Sequence, residues 1–242
     1  AQPPAGSREE LFVPLVSAKL VSLGTDGRER WRADLVAPPS TPPAACRGFV
    51  VVGTEAGVQA FVRGTGKPLW SAKTGSPAAS PLLCYRGAIY FGTADAYLWA
   101  LKYSGRKMWK YPSGARCRAR PFAVEGKVYY PSFDDYLYAL NSRSGHLILR
   151  VRLSHRLTDE ALAGRDRIYI SPFTSARLIA LSLPDLVLAG EYHLDLEGDW
   201  FTTPPLRIEE ILYIAYGRDE GRILALRETI EEPSKDSGKD SS

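Results

Sequence analysis

The chain has 242 residues, 45% of them apolar and 24% charged, and a formal net charge of +4. This is an ordinary globular composition, long enough to bury a core without disulfide staples, and no apolar run reaches the length of a membrane-spanning helix. The charge is unevenly placed: residues 102–167 hold 14 Lys/Arg against 6 Asp/Glu, whereas residues 168–242 hold 7 against 14. A basic sector of this kind draws acidic partners, yet no helix-based reading motif accompanies it, which argues against nucleic acid. With 21 Gly, 18 Pro, 13 Tyr and 5 Trp against a single Met, the chain leans toward short strands joined by frequent turns.

Read in chain order, one plan recurs. The segments LFVPLVSAKLVSL, VVVGTEAGVQAF, IYFGTADAYLWAL, VYYPSFDDYLYAL, IYISPFTSARLIAL and LYIAYGRDEGRILAL each hold an apolar run, a small or polar turn and a second apolar run. A small residue closes each unit at Ser22, Ala60, Ala100, Ala139, Ala180 and Ala225, a period near 39 residues. Gly followed four residues later by Trp recurs as Gly27–Trp31, Gly66–Trp70 and Gly105–Trp109; the fourth unit keeps Gly145 but has Leu149 in place of Trp.

Each unit reads as four short strands. In the third they are expected at Pro81–Tyr85, Ile89–Gly92, Tyr97–Lys102 and Lys107–Tyr111. Four-stranded antiparallel units repeated at this period predict an all-β propeller over residues 1–230, with about six blades. The last unit lacks a convincing fourth strand, since RETIEEP follows Leu226. Six units either close as six blades or form part of a larger ring. Residues 231–242 are polar and are expected to be a disordered tail. The chain opens Ala-Gln-Pro-Pro, read either as the residue left by signal-peptide removal or as an artificial start.

The stretches AFVRGTGKPLW (60–70) and ALKYSGRKMW (100–109) resemble the repeat signature of quinoprotein-type, PQQ-like propellers. The resemblance implies that Trp31, Trp70 and Trp109 dock between blades on a neighbouring turn. It also separates two branches. Quinone-dependent dehydrogenases of the family add calcium, an Asp base and, in several cases, a disulfide between adjacent cysteines. The non-catalytic branch resembles the propeller lipoproteins of the outer-membrane β-barrel assembly machinery. The cysteines Cys46, Cys84 and Cys117 contain no adjacent pair, and large insertions have no room, so the non-catalytic branch is the expectation. That implies an exported scaffold with protein partners and no catalytic residue, cofactor or metal; the alternative is a quinone-dependent oxidoreductase of reduced size. Asp134-Asp135 sits in a turn, where acidic residues serve as turn formers.

Cys46 and Cys84 occupy equivalent places in their units, which suggests inner-strand packing as small apolar residues; a bridge between adjacent inner strands is the alternative. Propeller topology puts the turns between second and third strands on one face with the connections between units. Arg116, Arg118, Arg120, Phe133, Phe173 and Trp200 fall there. Arg and aromatic residues dominate binding hot spots, so this face is expected to dock a partner with an extended or acidic segment. The opposing reading has the aromatics folding over to cover the channel or the blade edges.

Overall fold

The computed structural model describes residues 5–6, 10–153, 161–164, 166–171, 177–193, 201, 203, 205–209, 211–217 and 221–227. Each sequence repeat becomes one antiparallel sheet with its strands paired in chain order. Blade one holds β1 (Ala5–Gly6), β2 (Glu10–Leu15), β3 (Lys19–Gly24) and β4 (Glu29–Asp34). Blade two holds β5 (Ala44–Ala45), β6 (Phe49–Thr54), β7 (Gly57–Val62) and β8 (Pro68–Lys73). Blade three holds β9 (Leu83–Tyr85), β10 (Ala88–Gly92), β11 (Tyr97–Lys102) and β12 (Lys107–Pro112). Blade four holds β13 (Phe122–Val124), β14 (Lys127–Pro131), β15 (Tyr136–Asn141) and β16 (Leu147–Arg152). Blade five holds β17 (Leu162–Ala163), β18 (Arg167–Ile170), β19 (Arg177–Ser182) and β20 (Leu188–His193). Blade six has three described strands: β21 (Leu206–Ile208), β22 (Ile211–Tyr216) and β23 (Arg222–Arg227). The tail expected at 231–242 lies outside the described residues.

The first strands face one another across blades, with β1 against β5, β5 against β9 and β13 against β17. They therefore lie innermost. The fourth strands are outermost, and β20 is exposed along its whole length. Between them, β6 and β10 are buried throughout. Alternate residues of a strand point to opposite faces, so a middle strand packed on both sides must be apolar at every position. Val50 and Val52 pack with Phe12, Leu20 and Trp31 of blade one, whereas Val51 packs with Ile89 and Phe91 of blade three. Each seam between consecutive blades, from one to six, is thus its own apolar core.

The small residue that closes each repeat has a steric reason. Ser22 lies opposite Trp31, Ala60 opposite Trp70 and Ala100 opposite Trp109 in the ladder between third and fourth strands. The register shifts by a bulge immediately after that residue in blades one to five. A bulge re-aims the neighbouring side chain, here beside a residue too small to block an indole.

The cysteines are where the packing expectation is corrected. Cys46 and Cys84 are joined by a disulfide. Cys46 immediately follows β5 and Cys84 lies within β9, the innermost strands of adjacent blades. Their Cα atoms are 5.8 Å apart, inside the range a bridge requires. Equivalent positions in neighbouring blades are adjacent at the axis, and that proximity brings the two thiols together. Cys117 is a free, buried thiol.

Candidate partner-binding face

In blades two, three, four and six the connection entering the blade runs beside that blade's turn between second and third strands. Bridges pair Pro39 with Thr54, Ala78 with Thr93 and Phe201 with Tyr216. At blade four the same contact is a hydrogen bond from Phe133 N to Arg116 O, 3.0 Å. In blades two and three, Thr41 Oγ1 and Ser80 Oγ accept from Gly53 N and Gly92 N. In blade four the matching strand position is Pro131, which has no N–H to offer, and the residue before Pro121 is Arg120 rather than a hydroxyl residue.

Exposure alternates along the entering connection of blade four. Arg116, Arg118 and Arg120 are exposed, and Cys117 and Ala119 between them are buried. This alternation turns three guanidinium-bearing side chains to solvent, with a bend in the chain at Ala119. Cys117 Sγ donates to Ala119 O at 3.1 Å, and burial pushes its thiol well above the ordinary range. Beneath it, Tyr130 Oη lies 3.0 Å from Ser113 Oγ, and burial pushes the phenol up. Ser132 Oγ donates to Ala115 O at 3.1 Å. Asp134 fastens the same junction: its carboxylate accepts from Gly114 N at 3.1 Å, Tyr136 N at 3.3 Å and Tyr138 Oη. These bonds hold the arginine row on a built turn.

Phe133 is half-buried beside Arg116. Phe173 and Trp200 lie outside the described residues. Phe201, next to Trp200, is buried with Tyr169, Leu178, Leu212 and Ile214 in the seam of blades five and six. Aromatics at this end therefore differ in kind: Phe201 covers a seam, and Phe133 remains partly accessible. A second group of cations, Arg86, Lys102, Arg106, Lys107 and Arg143, gathers at the opposite end of blades three and four. Sequence reading singled out none of these five. For four of the five the only signal was the basic excess of residues 102–167, and Arg86 lies outside that segment; hairpin turns some 40 residues apart become neighbours only once the blades are assembled.

The three recurring tryptophans cross the seams. Trp31 Nε1 donates to Arg63 O at 2.8 Å, Trp70 Nε1 to Tyr103 O at 2.8 Å and Trp109 Nε1 to Ser142 O at 3.1 Å. Each ring rests on a glycine of the next blade. A Cβ added at Gly66, Gly105 or Gly145 would stand 2.4–2.6 Å from the indole.

A family model described as outer membrane protein assembly factor BamB matches residues 1–185. The chain belongs to that family of PQQ-like propellers. No curated protein matches it in sequence. The solved structure of BamB from Moraxella catarrhalis is similar at 20% identity and a TM-score of 0.71, covering 91% of this chain and 73% of that one. The computationally designed Ika8 protein aligns at 14% identity with a TM-score of 0.76, covering 93% and 70%. A chain of the Mitotic Checkpoint Complex aligns at 13% identity with a TM-score of 0.75, covering 93% and 73%. At these identities the structures carry the fold alone. In this member of the BamB-type family, the Gly-to-Trp spacing of the repeat corresponds to a ring of one blade seated on a glycine of the next.

Proposed function

We propose that this protein is a non-enzymatic, exported interaction scaffold acting in envelope protein assembly or sensing, and that the face bearing Arg116, Arg118 and Arg120 docks a partner through an extended acidic segment. The observation that carries the reading is the alternating exposure of residues 116–120 beside Phe133. Alternate residues of an extended partner strand are spaced by about 7 Å, so its carboxylates at every second position can meet successive arginines of the row. Arg pairs bidentately with carboxylate, and a partly exposed aromatic supplies burial area.

Membership of a family described as an outer membrane protein assembly factor supports the envelope setting. The Cys46–Cys84 disulfide suits an oxidising compartment. The acidic turn pair also favours a scaffold over an enzyme: Asp134 spends its carboxylate oxygens on two backbone amides and Tyr138, as a turn former does.

Pull-down from an envelope extract should compare wild type with a variant carrying Arg116→Glu, Arg118→Glu and Arg120→Glu. Loss of specific partners from the variant is expected, and Phe133→Ala with Phe173→Ala should weaken the same ones. Equal recovery by all three proteins would remove this face as the site.

A further inference from the structure

We infer that the seam between blades three and four holds a second, separate binding site: a cation-lined cleft for an acidic peptide, at the end of the propeller opposite Arg116. The cleft has a volume of about 870 Å³. Four hairpin turns wall it: the Arg86-Gly87 and Glu125-Gly126 turns between first and second strands, and the turns following β11 and β15. Tyr90 and Met108 also line it.

The walls are fixed before any ligand arrives. Tyr90 Oη donates to Ser142 O at 2.9 Å, and Trp109 Nε1 donates to the same oxygen. Gly126 N donates to Tyr85 Oη at 3.1 Å. All three bonds run between blade three and blade four. A pre-formed cleft loses less freedom on binding than one that must close.

Charge selects the occupant. Arg86, Lys102, Arg106, Lys107 and Arg143 are all exposed around the cleft, and Glu125 is its one acidic side chain. The Lys107 ammonium lies over Trp99, 5.7 Å from the ring centre and on the seam of blades two and three, so Arg86, Lys102, Arg106 and Arg143 carry the charge of the cleft. Among the described residues, none of the five cations takes part in an ion pair. The guanidinium of Arg86 lies over the Tyr85 ring, 5.2 Å from its centre, which steadies it at the rim. The same end of the seam between blades one and two is built differently. There buried Glu10 pairs with Arg30 at 3.3 Å and with Arg63 at 2.7 Å, so the chain supplies its own anion. Blade three has Ala88 at the place of Glu10, and among the described residues Glu125 of blade four pairs with none of the cleft cations.

The arrangement suits several carboxylates on a chain better than one compact anion. The cations stand on separate turns around the rim. A backbone-amide phosphate nest is not available here: Gly126 N donates to Tyr85, and Arg143 N and Ser144 N both donate to Asn141 Oδ1. Three guanidinium forks can instead pair individually with side-chain carboxylates.

The test titrates fluorescein-labelled hexaglutamate into the full chain at low salt and reads fluorescence anisotropy. Wild type should bind saturably, and Arg86→Glu with Arg143→Glu should weaken binding by about tenfold or more. Arg47→Glu, at the equivalent turn of blade two and outside the cleft, should stay within about twofold. Circular dichroism melting checks that each variant is folded. The inference fails if wild type does not bind, if Arg47→Glu weakens binding as much as the double variant, or if inorganic phosphate displaces the peptide at matched charge. It fails too if Arg116→Glu with Arg118→Glu abolishes the binding that the cleft variant retains; that outcome would leave the partner face standing.

Discussion

Trp109 combines, in one side chain, three kinds of contact that join blade three to blade four. Its ring is buried with Tyr90, Val128 and Leu140, its Nε1 donates to Ser142 O, and its face rests on Gly145. Replacing it with alanine removes a large ring and leaves a gap that rigid sheets close poorly. We expect Trp109→Ala to lower stability by about 3–5 kcal/mol in denaturant unfolding. A loss below about 1 kcal/mol would mean that the ring contributes little to the seam. Gly145→Ala tests the same contact from the other side, since a Cβ there would stand 2.5 Å from the indole on a backbone with φ +72°. It should destabilise as well. Where the pair is lost, the volumes exchange: Leu149 replaces the tryptophan opposite Ala139, and Leu186 fills the next blade's turn, both in one apolar cluster. Leu186 N donates to Ser182 O just as Gly145 N donates to Asn141 O, so the turn keeps its hydrogen bond while its side chain grows.

At the scale of the strand, the two innermost elements β5 and β9 are tied covalently by Cys46–Cys84, at a sequence separation of 38 residues. Closing a loop of that length restricts the unfolded chain, a contribution of about 3–4 kcal/mol on the chain-entropy account. The thiols should therefore count as follows. Native protein should react with no thiol reagent, because Cys117 is fully buried and burial holds its thiol protonated. Unfolding without reductant should release one thiol, and unfolding with reductant three. Reduction should also lower the denaturation midpoint. Release of three thiols without reductant would show that the bridge is absent in solution.

Across the whole molecule, the seams are unequal. Tryptophan closes those from blade one to blade four, and paired leucines serve between four and five. At the seam of blades five and six, Gly190 stands opposite Ala180, the place a tryptophan takes in blades one to three. A cavity of about 230 Å³ lies there, lined by Tyr169, Leu178, Ala180, Leu212 and Leu226. The backbone at Gly190 would admit a side chain, since an added Cβ meets nothing within 4 Å. We expect Gly190→Trp to raise stability by about 0.5–2 kcal/mol, as cavity filling does. A lower denaturation midpoint in the variant would show that the seam cannot receive the ring. Charge is divided over the molecule as well. The basic middle segment places Arg116, Arg118 and Arg120 at one end of its blades and the cleft cations at the other.

The sequence by itself determined the blade. Its period, the apolar second strands and the small residue before each bulge are local patterns, and local sterics turn them into four-stranded sheets. The third unit's strands fall within two residues of where alternation and turn residues put them. The Gly-to-Trp spacing was legible for the same reason, because the two positions repeat at fixed places in every unit that has them. Only the tertiary structure decided what lies beside what across blades. It paired Cys46 with Cys84, which as equivalent positions looked like packing residues until adjacent inner strands met. It buried Phe201 in a seam and left Phe133 partly accessible, although both occupy turns of one end. It also gathered cations from three hairpin turns into one cleft. Contacts between residues some 40 apart depend on how sheets stack around an axis, and no local periodicity records that distance.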